Sequence, residues 1–320
     1  MRTPEEVRAF FESELRSELE ILDAERKKIQ FRFLLVGAVL ALIVVGIFLY
    51  FFNFIVLFVG GIVGAILWFL INVWIQGDYP LRFKRTVVDR LVKFLDPTLH
   101  YEPTDCIGQH EFQASQLFQK GIDRYNGEDC VTGTLDKTAI RFSEVHAEYK
   151  STSTDSKGRR KTSWHTIFRG LFFVADFNKD FRGVTVVLPD TAEKVFGKWF
   201  GQALQGMNMG RPGLVKLEDA DFEKSFVVHA DDQVEARYIL SPALMRRLLD
   251  FRAKTGSDVY VSFAHSRVYV ALPLQRNLFE PRIFKSLVDP QMIEEFFADL
   301  VLATGIVEDL NLNTRIWTKE

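Results

Sequence analysis

The chain of 320 residues contains only two cysteines, Cys106 and Cys130. Two cysteines cannot supply the disulfide framework that stabilises many secreted domains, so we expect reduced thiols in the cytoplasm. The P-loop pattern GxxxxGK[ST], the dinucleotide-binding pattern GxGxxG and the nucleophile pattern GxSxG are also missing. Their absence argues against nucleotide hydrolysis, dinucleotide binding and serine hydrolysis by those routes.

The sequence also lacks an excess of charge of either sign. Its 40 basic and 42 acidic residues give a formal net charge of -2. A domain that binds nucleic acid commonly has a strong basic excess, and here the basic residues cluster beside an apolar run instead. We therefore expect no nucleic-acid partner.

Charged side chains are completely missing from Phe33 to Gly77. About 18 uncharged apolar residues already indicate a transmembrane helix, and one helix from Phe33 to Ile75 would be roughly 64 Å long, about twice the hydrocarbon thickness of a bilayer. We therefore predict a transmembrane hairpin over 31–77, with spans at about 33–52 and 54–75 and a turn near Tyr50–Phe54. A single crossing followed by an interfacial helix is the alternative.

Basic residues flank the apolar run on both sides, which by the positive-inside rule places both termini in the cytoplasm. The acidic start of the chain does not match a cleavable signal peptide, so we expect the first span to remain as an anchor. A basic juxtamembrane helix over 78–97 follows, which either rests on lipid headgroups or is a solvated connection. The cations predicted to contact headgroups are Arg82, Lys84, Arg85, Arg90 and Lys93.

Residues 1–30 are predicted to form an amphipathic cytoplasmic helix. Thr3, Pro4 and Glu6 are typical of a helix start with a capping box. The apolar stripe of this helix consists of Val7, Phe11, Leu15, Leu19 and Leu22. Such a stripe packs either against this chain's own soluble domain or against a second copy, and its length does not distinguish the two.

Residues 98–320 predict a cytoplasmic α+β domain with largely antiparallel strands, in two halves that meet near 210–214. The predicted helices are Glu111–Tyr125, Thr191–Met207, Pro242–Lys254 and Pro290–Thr304. The predicted strands are Asp129–Leu135, Ala139–Tyr149, Trp164–Val174, Val184–Leu188, Ser225–His229, Glu235–Tyr238, Val259–Phe263 and Arg267–Leu272. The polar and basic stretch Ser151–Ser163 is predicted to be a hairpin loop, for which phosphate binding is one conceivable role.

The segment FRGLFFVADFNKDFRGVTVVLPD, Phe168–Asp190, resembles bacterial membrane proteins of the family described as domain of unknown function 3137. FEKSFVVHADDQVEARYILSPALMRRLL and VYVSFAHSRVYVAL resemble the same family. The resemblance extends over nearly the whole chain, most specifically from Phe168 to Leu272. It implies a two-pass protein of the bacterial inner membrane that associates with other membrane-anchored proteins, and it implies no reaction.

Within this resemblance, the candidate recognition loop is Asp176, Phe177, Asn178, Lys179 and Asp180. The alternating polar residues invite comparison with a calcium-binding loop. Such a loop needs glycine at its sixth position and a bidentate glutamate at its twelfth, where this chain has Phe181 and Val187. We therefore interpret the segment as a turn between two strands, with Phe177 and Phe181 buried.

Residue types that bind zinc or perform hydrolysis occur without a recognised spacing. Cys106, His110, Cys130 and His146 lack paired CxxC knuckles, so we predict no metal site. The histidines and carboxylates that could converge in space are His165, His229, His265, Glu218, Asp219, Asp221, Asp231 and Asp232. We interpret these histidines as structural and these carboxylates as solvated, so no catalytic residue is predicted.

These observations favour a membrane-anchored scaffold or regulatory protein-binding module without a cofactor. The expected partners are membrane lipids and either another protein or further copies of this chain. One alternative is a membrane-associated hydrolase or metal-dependent enzyme. A second alternative is a sensor of anionic lipids that uses the basic helix.

Overall fold

The structure, a computed structural model, describes residues 3–154, 158–177, 179–190 and 213–313. The predicted helix Thr191–Met207 and the loop residue Asn178 lie outside these ranges. The chain divides into two compact units. The first consists of Met1–Leu91 and Phe279–Ala298, and the second of Val92–Leu278 and Asp299–Glu320.

The described residues confirm the predicted α+β class. The helical segments are α1 (Pro4–Phe10), a π-helical turn (Phe11–Leu15), α2 (Arg16–Phe51), α3 (Phe54–Gln76), α4 (Tyr79–Phe83), a second π-helical turn (Lys84–Val88), α5 (Asp89–Leu95), α6 (Gln109–Ala114), α7 (Ala220–Ser225), α8 (Gln233–Ile239), α9 (Pro242–Thr255) and α10 (Pro290–Asp309). The strands are β1 (His100–Glu102), β2 (Arg124–Leu135), β3 (Thr138–Thr154), β4 (Arg160–Asp176), β5 (Thr185–Pro189), β6 (Gly213–Val215), β7 (Phe226–Ala230), β8 (Tyr260–Ala264) and β9 (Arg267–Pro273).

The first unit begins with α1, the π-helical turn and α2, which follow one another without a break. The hydroxyl of Thr3 accepts a hydrogen bond from the Glu6 amide, and the Glu6 carboxylate accepts one from the Thr3 amide, as the capping box predicts. The stripe residues Val7, Phe11, Leu15, Leu19 and Leu22 are all buried. Because a single chain buries them, the structure favours intramolecular packing over self-association through this stripe.

Helices α2 and α3 form an apolar hairpin, and both are long and apolar enough to span a membrane. Phe52 follows α2 in the left-handed conformation, with φ of 48°. The Asn53 side chain then accepts a hydrogen bond from the Ile55 amide at 2.9 Å and caps α3. The turn therefore lies where the sequence predicts it.

Small residues allow α2 and α3 to approach closely at two levels of the hairpin. The Trp68 indole donates to the carbonyl of Phe33 at 3.1 Å, and a Cβ at Gly37 would come within 3.0 Å of the indole nitrogen. A Cβ at Gly60 would lie 3.3 Å from Val44. Close approach through small side chains is the usual packing of helices in a membrane.

The first unit contains an ion pair between Asp23 and Arg26 at 2.7 Å, with both side chains buried. Arg26 also donates to the carbonyl of Ile283, and the Leu287 amide donates to Asp23. Burial alone raises the pKa of Asp23, but hydrogen bonds from Arg26, Leu287 and Lys27 outweigh it and bring the pKa to about 2. The pair therefore connects α2 to a segment that is distant in sequence.

In the second unit the described residues form a nine-stranded sheet in the order β1-β2-β3-β4-β9-β8-β5-β7-β6. Every neighbouring pair is antiparallel. Strands from both predicted halves share this sheet, because β9 and β8 lie between β4 and β5. One core cluster joins the segment containing Ile107, Phe112 and Leu117 to inward residues such as Phe172 and Tyr269.

The predicted strand Glu235–Tyr238 is wrong, because these residues belong to α8. The Asp232 carboxylate accepts hydrogen bonds from the amides of Val234 and Glu235, so it caps the first turn of a helix. Buried apolar residues in so short a segment do not distinguish a strand from a helix.

Two further predictions differ in extent. The predicted helix Glu111–Tyr125 is helical only in α6, and the chain enters β2 at Arg124. The predicted loop Ser151–Ser163 is a hairpin, as expected, but most of its described residues belong to β3 and β4. The connection between these two strands is therefore much shorter than predicted.

We predict that Asp23→Asn destabilises the protein by about 3 kcal/mol, because Arg26 stays buried without a charged partner. Glu12→Gln removes an exposed 2.5 Å pair with Arg16 and should cost less than about 0.5 kcal/mol. Folding lowers the pKa of Asp23, so ionised Asp23 contributes fully to the free energy of unfolding above its unfolded pKa of about 3.9. This contribution is lost as the pH falls towards about 2. Urea unfolding in detergent, followed by circular dichroism, measures these effects, and equal costs for both variants would contradict the assignment.

We predict that Asn72→Leu stabilises the protein by about 1 kcal/mol. Asn72 lies in α3 and is only 5% exposed, and neither amide atom has a hydrogen-bond partner among the described residues. A buried amide without partners costs free energy that leucine does not. Asn53→Leu is the control and should destabilise, because it removes the cap of α3. Thermal unfolding in detergent measures the melting temperature of both variants. A lower melting temperature for Asn72→Leu would show that the amide has a stabilising partner.

Candidate functional site

The hairpin of β3 and β4 is longer than the strands beside it. β2 pairs with β3 only as far as Glu148, and β9 pairs with β4 only as far as Gly170. The pairing of β3 with β4 continues to Thr154. We call the part formed by Tyr149–Thr154 and Arg160–Thr166 the distal ribbon. Within the described ranges, no third strand pairs with the distal ribbon.

The local sequence explains why the distal ribbon is extended yet uncovered. Threonine, tyrosine and tryptophan favour strands, and they alternate here with serine and basic residues. Both faces are consequently polar, so neither face needs a covering layer. A register shift beside Ala147 and Glu148 marks the start of the distal ribbon, where such irregularities increase strand twist.

One face of the distal ribbon carries Trp164, whose side chain is 40% exposed. The guanidinium carbon of Arg124 lies 3.9 Å from the centre of the Trp164 ring. Arg124 also donates to the Glu148 carboxylate at 3.1 Å, which fixes its position over the ring. Lys150 is the cross-strand neighbour of Trp164. This face therefore combines an accessible aromatic ring with two cations.

The other face carries a stacked pair, Tyr149 and His165, with ring centres 4.9 Å apart. The ammonium of Lys120 lies 4.6 Å from the centre of the Tyr149 ring. His165 Nε2 is 2.8 Å from the Ser151 hydroxyl, which orients the imidazole across the two strands. Ordered aromatic and polar side chains thus lie on both faces of the distal ribbon.

The distal ribbon is a local concentration of positive charge. Between Tyr149 and Thr166 the basic residues are Lys150, Lys157, Arg159, Arg160 and Lys161, and the acidic residue is Asp155. Lys150, Arg160 and Lys161 are exposed, and no described carboxylate pairs with them. The sequence predicts a hairpin loop over Ser151–Ser163, between strands that end at Tyr149 and begin at Trp164. The signal that could have extended these strands is the alternation of threonine with serine and basic residues.

The candidate recognition loop is held against the sheet by its aromatic residues. The rings of Phe177 and Phe181 lie 5.0 and 6.5 Å from that of Phe263, and both are buried as the sequence analysis expected. Lys179 donates to the carbonyl of Tyr238 at 2.5 Å, and burial lowers the pKa of Lys179. The recognition role of Asp176, Phe177, Lys179 and Asp180 stays a prediction.

Three of the five cations assigned to lipid headgroups form ion pairs within the first unit. These pairs are Arg82 with Glu25 at 2.7 Å, Lys84 with Glu280 at 2.8 Å and Arg90 with Glu18 at 2.5 Å. Lys84 is also buried, whereas Arg85 and Lys93 are exposed. Headgroup contact by these five cations stays a prediction.

Burial raises the pKa of Cys130 to about 12 and also raises the pKa of Cys106. Within the described ranges, the potential ligand atoms of histidine, cysteine, aspartate and glutamate converge in one group of three, formed by Glu128, Asp129 and Glu144. The set of Cys106, His110, Cys130 and His146 is therefore not brought together as a metal site.

The three carboxylates converge because a β-bulge lies next to Glu128 in β2. Their oxygens lie within 4.8 Å of one another. Asp129 has φ of 62°, and its carboxylate accepts a hydrogen bond from the Tyr101 hydroxyl. Glu144 accepts one from the Leu278 amide at 2.8 Å. Carboxylates suit a hard cation. Here, however, Asp129 also joins β2 to β1 through Tyr101, and Glu144 joins β3 to the chain at Leu278. No local sequence pattern indicates this cluster.

The other carboxylates and histidines are dispersed over the second unit. Asp219 and Asp232 cap α7 and α8, and Asp231 accepts a hydrogen bond from the Val184 amide. His229 lies in β7, and His265 lies between β8 and β9. The described residues therefore do not combine His165, His229 and His265 with carboxylates into one site.

The described residues thus define an α+β protein with an apolar helical hairpin and an exposed basic β-ribbon. A family model described as protein of unknown function (DUF3137) matches residues 166–312. The resemblance stated from the sequence is confirmed for this region, which begins in β4 and does not include the apolar hairpin. No curated protein and no solved structure matched the chain.

We predict that Asp129→Ala destabilises the protein by about 2 kcal/mol. Alanine is strained at φ of 62° and offers no acceptor to the Tyr101 hydroxyl. Asp129→Asn should cost less, because asparagine tolerates this conformation and keeps a carbonyl oxygen. Urea unfolding measures both, and equal costs would contradict this account. A calcium-dependent rise in melting temperature that Asp129→Asn abolishes would instead assign a cation to the cluster.

Proposed function

We propose that this chain is a membrane-anchored protein-binding module, in which the apolar hairpin is the anchor and the distal ribbon binds the partner. The observation that carries this proposal is the outer edge of β4. Between Arg160 and Thr166, β4 pairs with β3 and with no other described strand. An exposed strand edge offers backbone N–H and C=O groups to an incoming strand, as in many peptide-binding domains.

The β1 end of the sheet supports this choice of site by contrast, because β1 contains only three residues. Short edge strands are a common protection against unwanted pairing. The distal ribbon has longer edges, and its polar faces keep it soluble without a partner. These properties suit an element that is exposed in order to bind.

The membrane assignment rests on the uncharged run and on its flanks. Both α2 and α3 are apolar enough to span a membrane, and basic residues lie before and after the hairpin. The turn at Phe52 and Asn53 carries no charge that would resist crossing the bilayer. We propose two spans in the bacterial inner membrane with both termini in the cytoplasm, so that the distal ribbon faces cytoplasmic or membrane-anchored proteins.

The alternative functions have weaker support. Lipid sensing by the basic helix would use cations that are engaged by Glu18, Glu25 and Glu280 in the first unit. A metal-dependent enzyme would need the carboxylate cluster, whose oxygens receive hydrogen bonds from Tyr101 and Leu278.

We predict that a photo-crosslinker at Thr162 captures a discrete protein in intact cells, because Thr162 lies where the outer edge of β4 pairs with no other described strand. The same crosslinker at Val234, which is exposed on α8, should not capture it. Replacing Ser151–Ser163 by Asn-Gly joins the cross-strand neighbours Lys150 and Trp164 through a tight turn. The shortened variant lacks Thr162 but keeps Thr166, so its crosslinker is placed at Thr166. Capture from Thr166 should disappear in this variant, while the protein still folds.

Three outcomes would contradict the proposed function. These are equal capture from Thr162 and Val234, capture of lipid alone, and capture from Thr166 that persists after the ribbon is shortened. Circular dichroism of the purified shortened variant separates loss of binding from loss of folding.

A further inference from the structure

We infer that the partner of the distal ribbon presents an extended acidic segment, which adds as a strand to the outer edge of β4. This inference rests on the proposed function and specifies the chemistry of the partner. Two independent observations support it. The backbone edge of β4 between Arg160 and Thr166 pairs with no other described strand on its outer side, and Arg160 and Lys161 give the same stretch a positive charge.

The charge of the distal ribbon contrasts with that of the whole chain. The chain has a formal net charge of -2, while the stretch from Tyr149 to Thr166 contains five basic residues and one acidic residue. The exposed cations Lys150, Arg160 and Lys161 have no carboxylate partner among the described residues. An approaching acidic segment is therefore attracted, and a basic one is repelled.

The strand geometry places positive charge on both faces of a bound segment. Successive side chains of a strand point to opposite faces, so Arg160 and Lys161 lie on different faces of β4. A segment paired with this edge has side chains on the same two faces, beside those of β4. Carboxylates at two consecutive positions of the segment can therefore each approach one of these cations.

The far end of the same edge has a different chemistry. Trp164 is partly exposed beneath Arg124, and His165 is stacked on Tyr149 on the other face. These side chains offer flat surfaces to an apolar or aromatic residue of the segment. The expected ligand therefore combines an acidic pair near Arg160 with a larger side chain near Trp164.

A lipid surface or a nucleic acid would use the cations but would leave the backbone edge unpaired. A protein segment uses both features, because strand addition satisfies the outward N–H and C=O groups while carboxylates approach the cations. The geometry therefore favours a polypeptide over the other polyanions. Exposed charge pairs are individually weak and screened by salt, so we expect binding that weakens as the ionic strength rises.

The test is selection from a random peptide library displayed on phage. The target is the full-length protein in discs of zwitterionic lipid, beside three variants. The charge-reversed variant is Arg160→Glu with Lys161→Glu, the matched surface control is Arg246→Glu on α9, and the shortened variant joins Lys150 to Trp164 through Asn-Gly. Arg246 is an exposed cation that pairs only locally with Asp250, at 3.3 Å.

The expected result is enrichment of peptides that have a net negative charge and adjacent acidic residues. Their affinity, measured by fluorescence anisotropy with synthetic copies, should fall by about tenfold or more on charge reversal. It should not change in Arg246→Glu, and it should fall as salt is added. Backbone N-methylation of the peptide at alternate positions should also abolish binding, because strand pairing needs those amides.

The inference is overturned if the selected peptides are neutral or basic, or if charge reversal does not weaken them. It is also overturned if N-methylated peptides bind equally well, or if vesicles rich in phosphatidylglycerol outcompete the peptides, since either result means that charge alone is recognised. If full-length protein enriches no peptide beyond the background of the shortened variant, the proposed function itself fails. Peptides that depend on the distal ribbon but not on charge leave that function intact and refute only the acidic partner.

Discussion

The pairing of β3 with β4 is the interaction on which the second unit depends. Its register runs from Ile140 opposite Ala175 to Thr154 opposite Arg160, with one shift. At one end the two strands lie in the middle of the sheet, where Phe172 and Phe173 are buried on opposite faces. At the other end the neighbouring strands have stopped. An isolated hairpin is marginally stable in water, so the distal ribbon depends on the buried part of the same ladder.

The cations of the first unit and those of the distal ribbon have different surroundings for a physical reason. In the first unit, Arg26 and Lys84 are buried, and a buried cation requires a partner because losing its hydration is costly. Asp23 and Glu280 supply these partners. The cations of the distal ribbon stay in water, where an ion pair within the chain contributes little to stability. They therefore remain available to a charged partner. This difference is why the proposed recognition is assigned to the distal ribbon and not to the basic helix.

Predictions from the sequence succeeded where a local pattern determines the outcome. Phe177 and Phe181 were expected to be buried because a turn between strands brings its aromatic rings back onto the sheet, and both are buried. At Ser151–Ser163 the hairpin is as predicted, but its strands extend further, because polar residues on both faces of a strand resemble a loop when no covering layer is required. No local pattern indicated the position of Asp129, which depends on a bulge and on the register of β2 against β3.

The sequence by itself determined the apolar hairpin, the helix caps and the α+β class. A long uncharged segment can satisfy its backbone hydrogen bonds in an apolar medium only as a helix, so its length and composition are sufficient. Only the tertiary structure decided the strand order, the length of the distal ribbon and the membership of Phe279–Ala298 in the first unit. These features depend on which distant segments pair. A local pattern specifies a strand without specifying its neighbour, so the packing of the whole domain determines the pairing.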